Sequence, residues 1–339
     1  MAHHLHALMT LALLPPGASG MGLRAAHEPN ADAARMPRQR LAGGGQMPMS
    51  GIGLSAVKGT RAHDATLEFL RAGGRLLDTA EHYGNHGQVG AAIREAIKDH
   101  GVRREDVFLT TKLPQTLFER GNATRWVKTM LHDLGVDYVD LVLLHTGGSP
   151  FKSPEQLGIT GCKTWSQCRR QAWLALSDAR DAGQIRAVGV SNFGPRQMRE
   201  LIDLKRAPIA MNQLEYNPWV PKPWRLAVDF CRKNGVGVTA FNSIGGGLRK
   251  GKKFLQDDRV RLISKAHDKT PQQVLLRWAT QHDVHVIAGT SNPAHMRDNL
   301  AIFDFELTAE EMASLDSVPK AEWAARVKNQ KVHTPDLIP

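Results

Sequence analysis

The stretch "YVDLVLLH", Tyr138 to His145, is apolar at nearly every position and does not alternate. A half-exposed strand shows one apolar residue in two. A continuous run suits a parallel strand covered on both faces or enclosed in a barrel. Upstream, Val127, Met130 and Leu134 have helical spacing, and Gly135 stops them. Before that helix, "VFLTTKL" (Val107 to Leu113) is another short apolar run. The order is strand, helix, strand, and it repeats outward in both directions. The further strand-like runs are "MSGIGLS", "RLLDTA", "IRAVGVS", "IAMNQLEY", "VGVTAF" and "VHVIAGT". Between them, Val89, Ile93 and Ile97 form one helical stripe, and Met198, Leu201 and Ile202 another. Thr270 to Gln273 and Thr308 to Glu311 carry capping-box spacing, the first with proline at the first helical position. Alternation eight strands deep, without an internal break, predicts an α/β (β/α)8 TIM barrel. The competing architecture is a doubly wound open sheet. "QRLAGGGQMP", ahead of the first strand, predicts an N-terminal β-hairpin with a Gly-rich turn.

The chain divides into an extension (1–39), the barrel (40–320) and a tail (321–339) that is either a loose end or a flap over the barrel mouth. With 339 residues, 42% hydrophobic and 23% charged, it has a globular composition. No apolar run reaches the roughly 18 residues of a membrane span. The net charge of +11 is spread along the chain, with "RKGKK" (Arg249 to Lys253) the tightest cluster. That pattern favours a small anionic ligand or solubility over a nucleic-acid partner. Of the three cysteines, Cys162 and Cys168 lie close in one loop and are read as thiols, with a small disulfide the alternative. The low, odd count fits a reducing compartment and a cytoplasmic protein. "ALMTLALL" followed by "PPGASG" keeps export or organelle targeting open. "HHLH" near the start is read as incidental, and no metal site is expected. Nothing in the sequence requires more than a monomer.

In such a barrel the active site lies at the C-terminal ends of the strands. There the sequence places Asp78, with Tyr83 just beyond it, then Lys112, then His145, on three consecutive strands. Ser191, Asn192, Gln213, Tyr216, Asn242 and Thr290 end later strands. A phenol titrates near 10 and is a poor acid without help. A Lys⁺ beside it favours the phenolate, and Asp78 keeps Lys112 charged. An opposite charge at contact is worth about 4 kcal/mol at an effective dielectric of 20. His145 can donate to the same substrate oxygen. Such a group would protonate an oxygen becoming an alkoxide, as a carbonyl receiving hydride requires.

Five motifs in order resemble those of the aldo-keto reductases: "GRLLDTAEHYGN", "LTTKL", "DYVDLVLLH", "IRAVGVSNF" and "NQLEYNP". The resemblance covers residues 40–320. It implies an NAD(P)H-dependent reduction of aldehydes or ketones, with a tetrad of Asp78, Tyr83, Lys112 and His145. Tyr83 would be the general acid, tuned by Lys112 and Asp78, and His145 would orient the carbonyl. Ser191, Asn192 and Gln213 would hydrogen-bond the nicotinamide, and Tyr216 would stack on it. Gly53 and Leu54 would lie where the first strand approaches the cofactor. Asn242 and Ile244 would clamp the pyrophosphate, with Thr290, His295, Asp298 and Asn299 at the adenosine end. "IAGTSNPAHMRDN" departs from the family text there. Gly289 and His295 stand where Lys and Arg usually meet a 2′-phosphate, which brings in NADH as the alternative to the NADPH that the resemblance implies. Arg297 or "RKGKK" could supply the missing charge. "HTGGSPFK" after His145 lacks the family's usual Trp, which leaves the loop from Gly147 to Cys168 to shape the substrate pocket. A second reading is a cofactor-binding regulatory subunit resembling the potassium-channel β-subunits. A third, a phosphate-sugar barrel enzyme, is disfavoured by the absence of phosphate-loop glycines.

Overall fold

The structure, a computed structural model, describes residues 36–245 and 252–318. The targeting segment, the tail and Arg249 to Gly251 of the basic cluster lie outside the described residues. A two-stranded antiparallel hairpin comes first, β1 (Arg38–Arg40) and β2 (Gln46–Pro48). Eight parallel strands follow: β3 (Ser50–Gly53), β4 (Leu76–Asp78), β5 (Phe108–Leu113), β6 (Val139–Leu144), β7 (Ile185–Ser191), β8 (Met211–Glu215), β9 (Gly237–Phe241) and β10 (Val284–Ala288). They close into a barrel in chain order, with β10 pairing back onto β3. The open-sheet alternative is excluded by that closure. The first six crossings are made by α1 (Thr60–Arg71), α2 (His86–Asp99), α3 (Arg120–Leu134), α4 (Trp165–Asp181), α5 (Pro195–Ile202) and α6 (Lys222–Lys233). Then come α7 (Lys252–Leu255), α8 (Asp258–Ala266), α9 (Pro271–Gln281), α10 (Pro293–Leu300) and α11 (Ala309–Asp316). Both expected capping boxes are present, at the starts of α9 and α11.

The continuous apolar strands are explained by two cores. Side chains pointing outward from the strands, such as Leu77, Leu109, Val142, Val188 and Leu214, pack under the helices. Those pointing inward from the strand starts, including Leu76, Phe108, Leu141, Ala187 and Met211, fill the barrel floor. Leu41 and Met47 of the hairpin join that inner cluster, so the hairpin plugs the N-terminal end of the barrel. The opposite end is left for chemistry.

His285 ties the plug to the wall. It is 0% exposed, its Nδ1 lies 2.9 Å from the Pro48 carbonyl and its Nε2 2.8 Å from Gln39 Oε1. Burial pushes its pKa down to about 4, against a partial rise from the Pro48 hydrogen bond. In the unfolded chain it would titrate near 6.5. Its contribution to stability is therefore complete above that value and is lost as pH falls toward 4. The fall from 6.5 to about 4 corresponds to roughly 3 kcal/mol. The expected result is that urea midpoints fall between pH 6.5 and 4, and that His285→Gln flattens that slope.

Candidate active site

Side-chain direction alternates along each strand, which places Asp78, Thr110 and Lys112 on the inner face, as the pairing of Asp78 with Thr110 requires. Lys112 therefore reaches across to the neighbouring strand end. Its ammonium donates to Asp78 Oδ1 at 2.6 Å, to the Thr79 carbonyl at 2.9 Å and to Tyr83 Oη at 3.1 Å. Lys112 and Asp78 are 0% and 2% exposed. Gln213, from β8, donates to the other carboxylate oxygen of Asp78 at 2.7 Å. Both Asp78 oxygens are thus engaged. His145, just past β6, presents its ring edge-on to Tyr83, with 5.9 Å between centroids. The four residues expected on three strands are brought together at one mouth.

Burial works to lower the Lys112 pKa, but Asp78 and Tyr83 outweigh it and the net shift is upward. The sequence argument expected Lys112 to lower the Tyr83 pKa, and the structure reverses that. Burial raises the phenol first; Lys112 pulls it down, Asp78 pushes it up, and the balance lies above the ordinary value. The physical reason is that Asp78 neutralises the ammonium at contact, leaving desolvation of the phenolate to dominate. Tyr83 therefore keeps its proton through the whole physiological range.

The turn that carries Tyr83 is anchored from three sides. Asn85 donates to the carbonyls of Leu54 and Val57, both at 3.0 Å, and accepts from Thr79 Oγ1 at 2.6 Å. Trp126 of α3 donates to Glu81 at 2.8 Å. His86 lies 2.9 Å from Thr111 Oγ1 on the outer face of β5. Thr79, Glu81, Asn85, His86 and Trp126 were not singled out from sequence. The first four carry a signal, polar side chains recurring on both sides of Tyr83; Trp126, on α3, carries none.

The expected cofactor residues divide into two groups. Ser191, Asn192 and Gln213 gather beside the tetrad. Ser191 donates to the Gln213 carbonyl at 3.0 Å, and Asn192, at φ 62°, donates to the His145 carbonyl at 3.2 Å. Gly53 and Gly289 face each other across the β3–β10 seam, where a β-carbon on Gly289 would lie 3.3 Å from the Gly53 carbonyl. Neither glycine carries a side chain there. Asn242, exposed and at φ 50°, and half-buried Ile244 stand on the adjoining loop. The start of α10 is open, with Gly289, Ser291, Asn292 and His295 exposed. Thr290 Oγ1 accepts from Asn292 N at 3.1 Å, and Asn292 caps Ala294 N at 2.9 Å. Asp298 and Asn299 are half-buried and are held through their carbonyls by Gln273 and Ser50.

Tyr216 and Leu54 are not brought to the mouth. Tyr216 stacks on Trp278 at 5.0 Å, outside the barrel, and Leu54 is 0% exposed in the outer core. Alternation explains both. Gln213 points inward, so Tyr216, three positions on, points outward; Gly53 faces in, so Leu54 faces out. The aromatic residue that does point inward at the mouth is Phe241, at the end of β9, packed against the inner cluster. The same parity count along "VGVTAF" would have found it.

The loop after His145 is also tied down. Arg169, 0% exposed, donates to the Gly147 carbonyl at 2.6 Å and pairs with Glu200 at 2.8 Å. Gly148 sits at φ 136°, where a β-carbon would fall 2.5 Å from the Trp165 ring, so only glycine fits. Cys162 and Cys168 form a disulfide, correcting the expectation of two thiols. Cys168 lies in the first turn of α4, and the helix cap at Thr164 turns the chain back so that the two sulfurs meet. Such a bridge closes a short loop and is expected to stabilise by about 2 kcal/mol. The check is urea unfolding without reductant, in which Cys162→Ser/Cys168→Ser should be less stable by that amount. Among the described residues no group of three His, Cys, Asp or Glu side chains is placed to hold a metal ion.

Comparison with known proteins agrees with this geometry. The sequence profile of the Aldo/keto reductase family matches residues 44–320. The NAD(P)H-dependent D-xylose reductase I,II of Candida tropicalis is 32% identical, over 86% of this chain and 94% of that protein. The D-galacturonate reductase of Fragaria ananassa is 33% identical, over 81% of this chain and 87% of that protein. The crystal structure of an aldo/keto reductase from Brucella melitensis superposes with a TM-score of 0.72 at 30% identity, covering 83% of this chain and 98% of that one. A closed (β/α)8 barrel with an Asp–Lys–Tyr–His cluster at its mouth, matched by the family profile along most of its length, makes this chain a member of the aldo/keto reductase family.

Proposed function

We propose that the protein reduces aldehydes or ketones to alcohols with NADPH, NADH being the alternative reductant, as an alcohol dehydrogenase (NADP⁺) or aldehyde reductase. The observation that carries this reading is the contact of the Lys112 ammonium with both Asp78 and Tyr83 in a buried site. A reduced nicotinamide, when bound, would supply hydride to the carbonyl carbon. Ser191, Asn192 and Gln213 would hold its carboxamide, and Phe241, in place of Tyr216, would lie against its ring. Tyr83 Oη gives its proton to the carbonyl oxygen, and Lys112 steadies the charge left on the phenol. His145 donates to the same oxygen and fixes its direction. The seam between Gly53 and Gly289 and the open start of α10 would take the rest of the dinucleotide. Exposed Arg297, on α10, would stand in for the absent Lys and Arg.

The reading includes a monomer of one barrel (40–320) with an N-terminal extension and a C-terminal tail, acting on a small carbonyl compound and not on nucleic acid. Among the described residues no helix is long and apolar enough to cross a membrane. A cytoplasmic site fits a reductase fed by a soluble nicotinamide. The disulfide favours the second reading, export or an organelle, since such bridges persist in oxidising compartments. Alkylation of free thiols at lysis, followed by mass analysis, would separate them. The function itself is tested by following NADPH and NADH oxidation with a panel of aldehydes and ketones. Turnover is expected with aldehydes. Cofactor binding without turnover of any carbonyl would favour the regulatory-subunit reading.

A further inference from the structure

The loop that follows His145 ends in the Cys162–Cys168 disulfide, and beside that bridge lies a surface cavity of about 540 Å³. Cys162 lines the cavity and is 6% exposed, whereas Cys168 is 0% exposed. The cavity is therefore the route to the bridge, and Cys162 Sγ is the sulfur a reagent meets there. Lys163 and Arg170 line the same cavity. Both are exposed, and among the described residues neither side chain takes part in a hydrogen bond or ion pair. Among the described residues no carboxylate lines the cavity with them. Two unpaired cations beside a disulfide suit a thiol that itself carries carboxylates. Cys168 stands in the first turn of α4, where the helix terminus favours negative charge, so it is the better leaving thiolate.

We propose that this cavity is a binding site for a small thiol bearing carboxylates, which reduces the Cys162–Cys168 bridge and so loosens the loop beside the substrate mouth. The thiolate attacks Cys162 Sγ. The sulfur–sulfur bond breaks, and its electron pair leaves on Cys168, which takes up a proton. A second thiol displaces the first from Cys162 as a disulfide. Two thiols are thus oxidised to one disulfide, and both cysteines are reduced. Cys162 is then no longer fixed to α4. The loop is held by hydrogen bonds such as Trp165 to the Lys152 carbonyl at 2.9 Å, Gln171 to the Gly161 carbonyl at 2.8 Å and the Thr160 amide to Glu119 at 2.7 Å. The binding site stands without the reductase reading; its effect on carbonyl substrates rests on that reading.

The test follows reduction of the oxidised protein by glutathione and by glutathione diethyl ester, which share the thiol and differ in the carboxylates. Free thiols are alkylated at intervals and counted by mass. Compared per thiolate, glutathione is expected to react about 10-fold faster, since two ion pairs at an exposed site are together worth about that much. Lys163→Ala/Arg170→Ala should remove the advantage and leave the rate with the ester unchanged. Reduced wild-type protein should show a severalfold higher KM for its carbonyl substrate with kcat little changed, and reoxidation should restore it. Cys162→Ser/Cys168→Ser should match the reduced protein whether or not thiol is present. Equal rates with the two thiols, or an advantage that survives the double substitution, overturns the binding site. A KM unmoved by reduction overturns the link to the mouth. Absence of turnover with every carbonyl would sink the reductase reading and that link, and the two reduction rates would still decide the site.

Discussion

Tyr83→Phe is expected to lower kcat for carbonyl reduction by about 10²- to 10⁴-fold, the range for loss of a positioned general acid. The substitution removes one oxygen and leaves the ring. The hydroxyl accepts from Lys112 at 3.1 Å, and that ammonium keeps Asp78 and the Thr79 carbonyl as partners. Stability should therefore change little, and nicotinamide binding, followed by fluorescence titration, should be retained. The loss belongs in kcat because the proton moves only in the transition state. Since burial holds the Tyr83 pKa above the ordinary value, wild-type reduction should be insensitive to deprotonation of this group through neutral pH and fall only in the alkaline range. A Tyr83→Phe enzyme within threefold of wild type in kcat would refute the assignment of the proton donor.

Lys112→Met should have the largest effect on stability, a loss of about 3–5 kcal/mol. It leaves the Asp78 carboxylate buried with Gln213 but without its cation, and removing one partner of a buried ion pair costs about that much. Lys112→Met/Asp78→Asn removes both charges and should recover a large part of the loss. The non-additivity of the pair reports their coupling. Urea unfolding of the three proteins measures it. With the Lys112 pKa raised in the folded state, the pair's contribution is complete at neutral pH and disappears as pH rises through the alkaline range. A single variant within 1 kcal/mol of wild type would mean that the contact does not hold a charged lysine. The same variant should also lose most of its activity, because the phenol would have no cation beside it when its proton leaves.

The barrel was legible because its signals are local. "YVDLVLLH" and its counterparts declare buried parallel strands, and Gly135, Thr270 and Thr308 mark where helices stop or start. The tetrad was legible for a related reason: strand ends are readable, and chain order is barrel order, so Asp78, Lys112 and His145 had to be neighbours. Tyr216 and Leu54 were misassigned because strand ends alone do not tell inward from outward. One position of parity moves a side chain from the mouth to the outer core, as Phe241 and Tyr216 demonstrate. The disulfide was undecided in sequence because pairing depends on the path of the loop, which the cap at Thr164 and the packing of Trp165 on Gly148 set.

The sequence by itself determined the order of elements, the place of the chemistry and the kinds of group that carry it, since each follows from periodicity, stop signals and strand order. Only the tertiary structure decided the balance of forces among those groups. Whether Lys112 lowers the Tyr83 pKa depends on how closely Asp78 neutralises the ammonium and how completely the barrel excludes water. Both are distances and exposures between residues far apart in the chain, and here burial prevails.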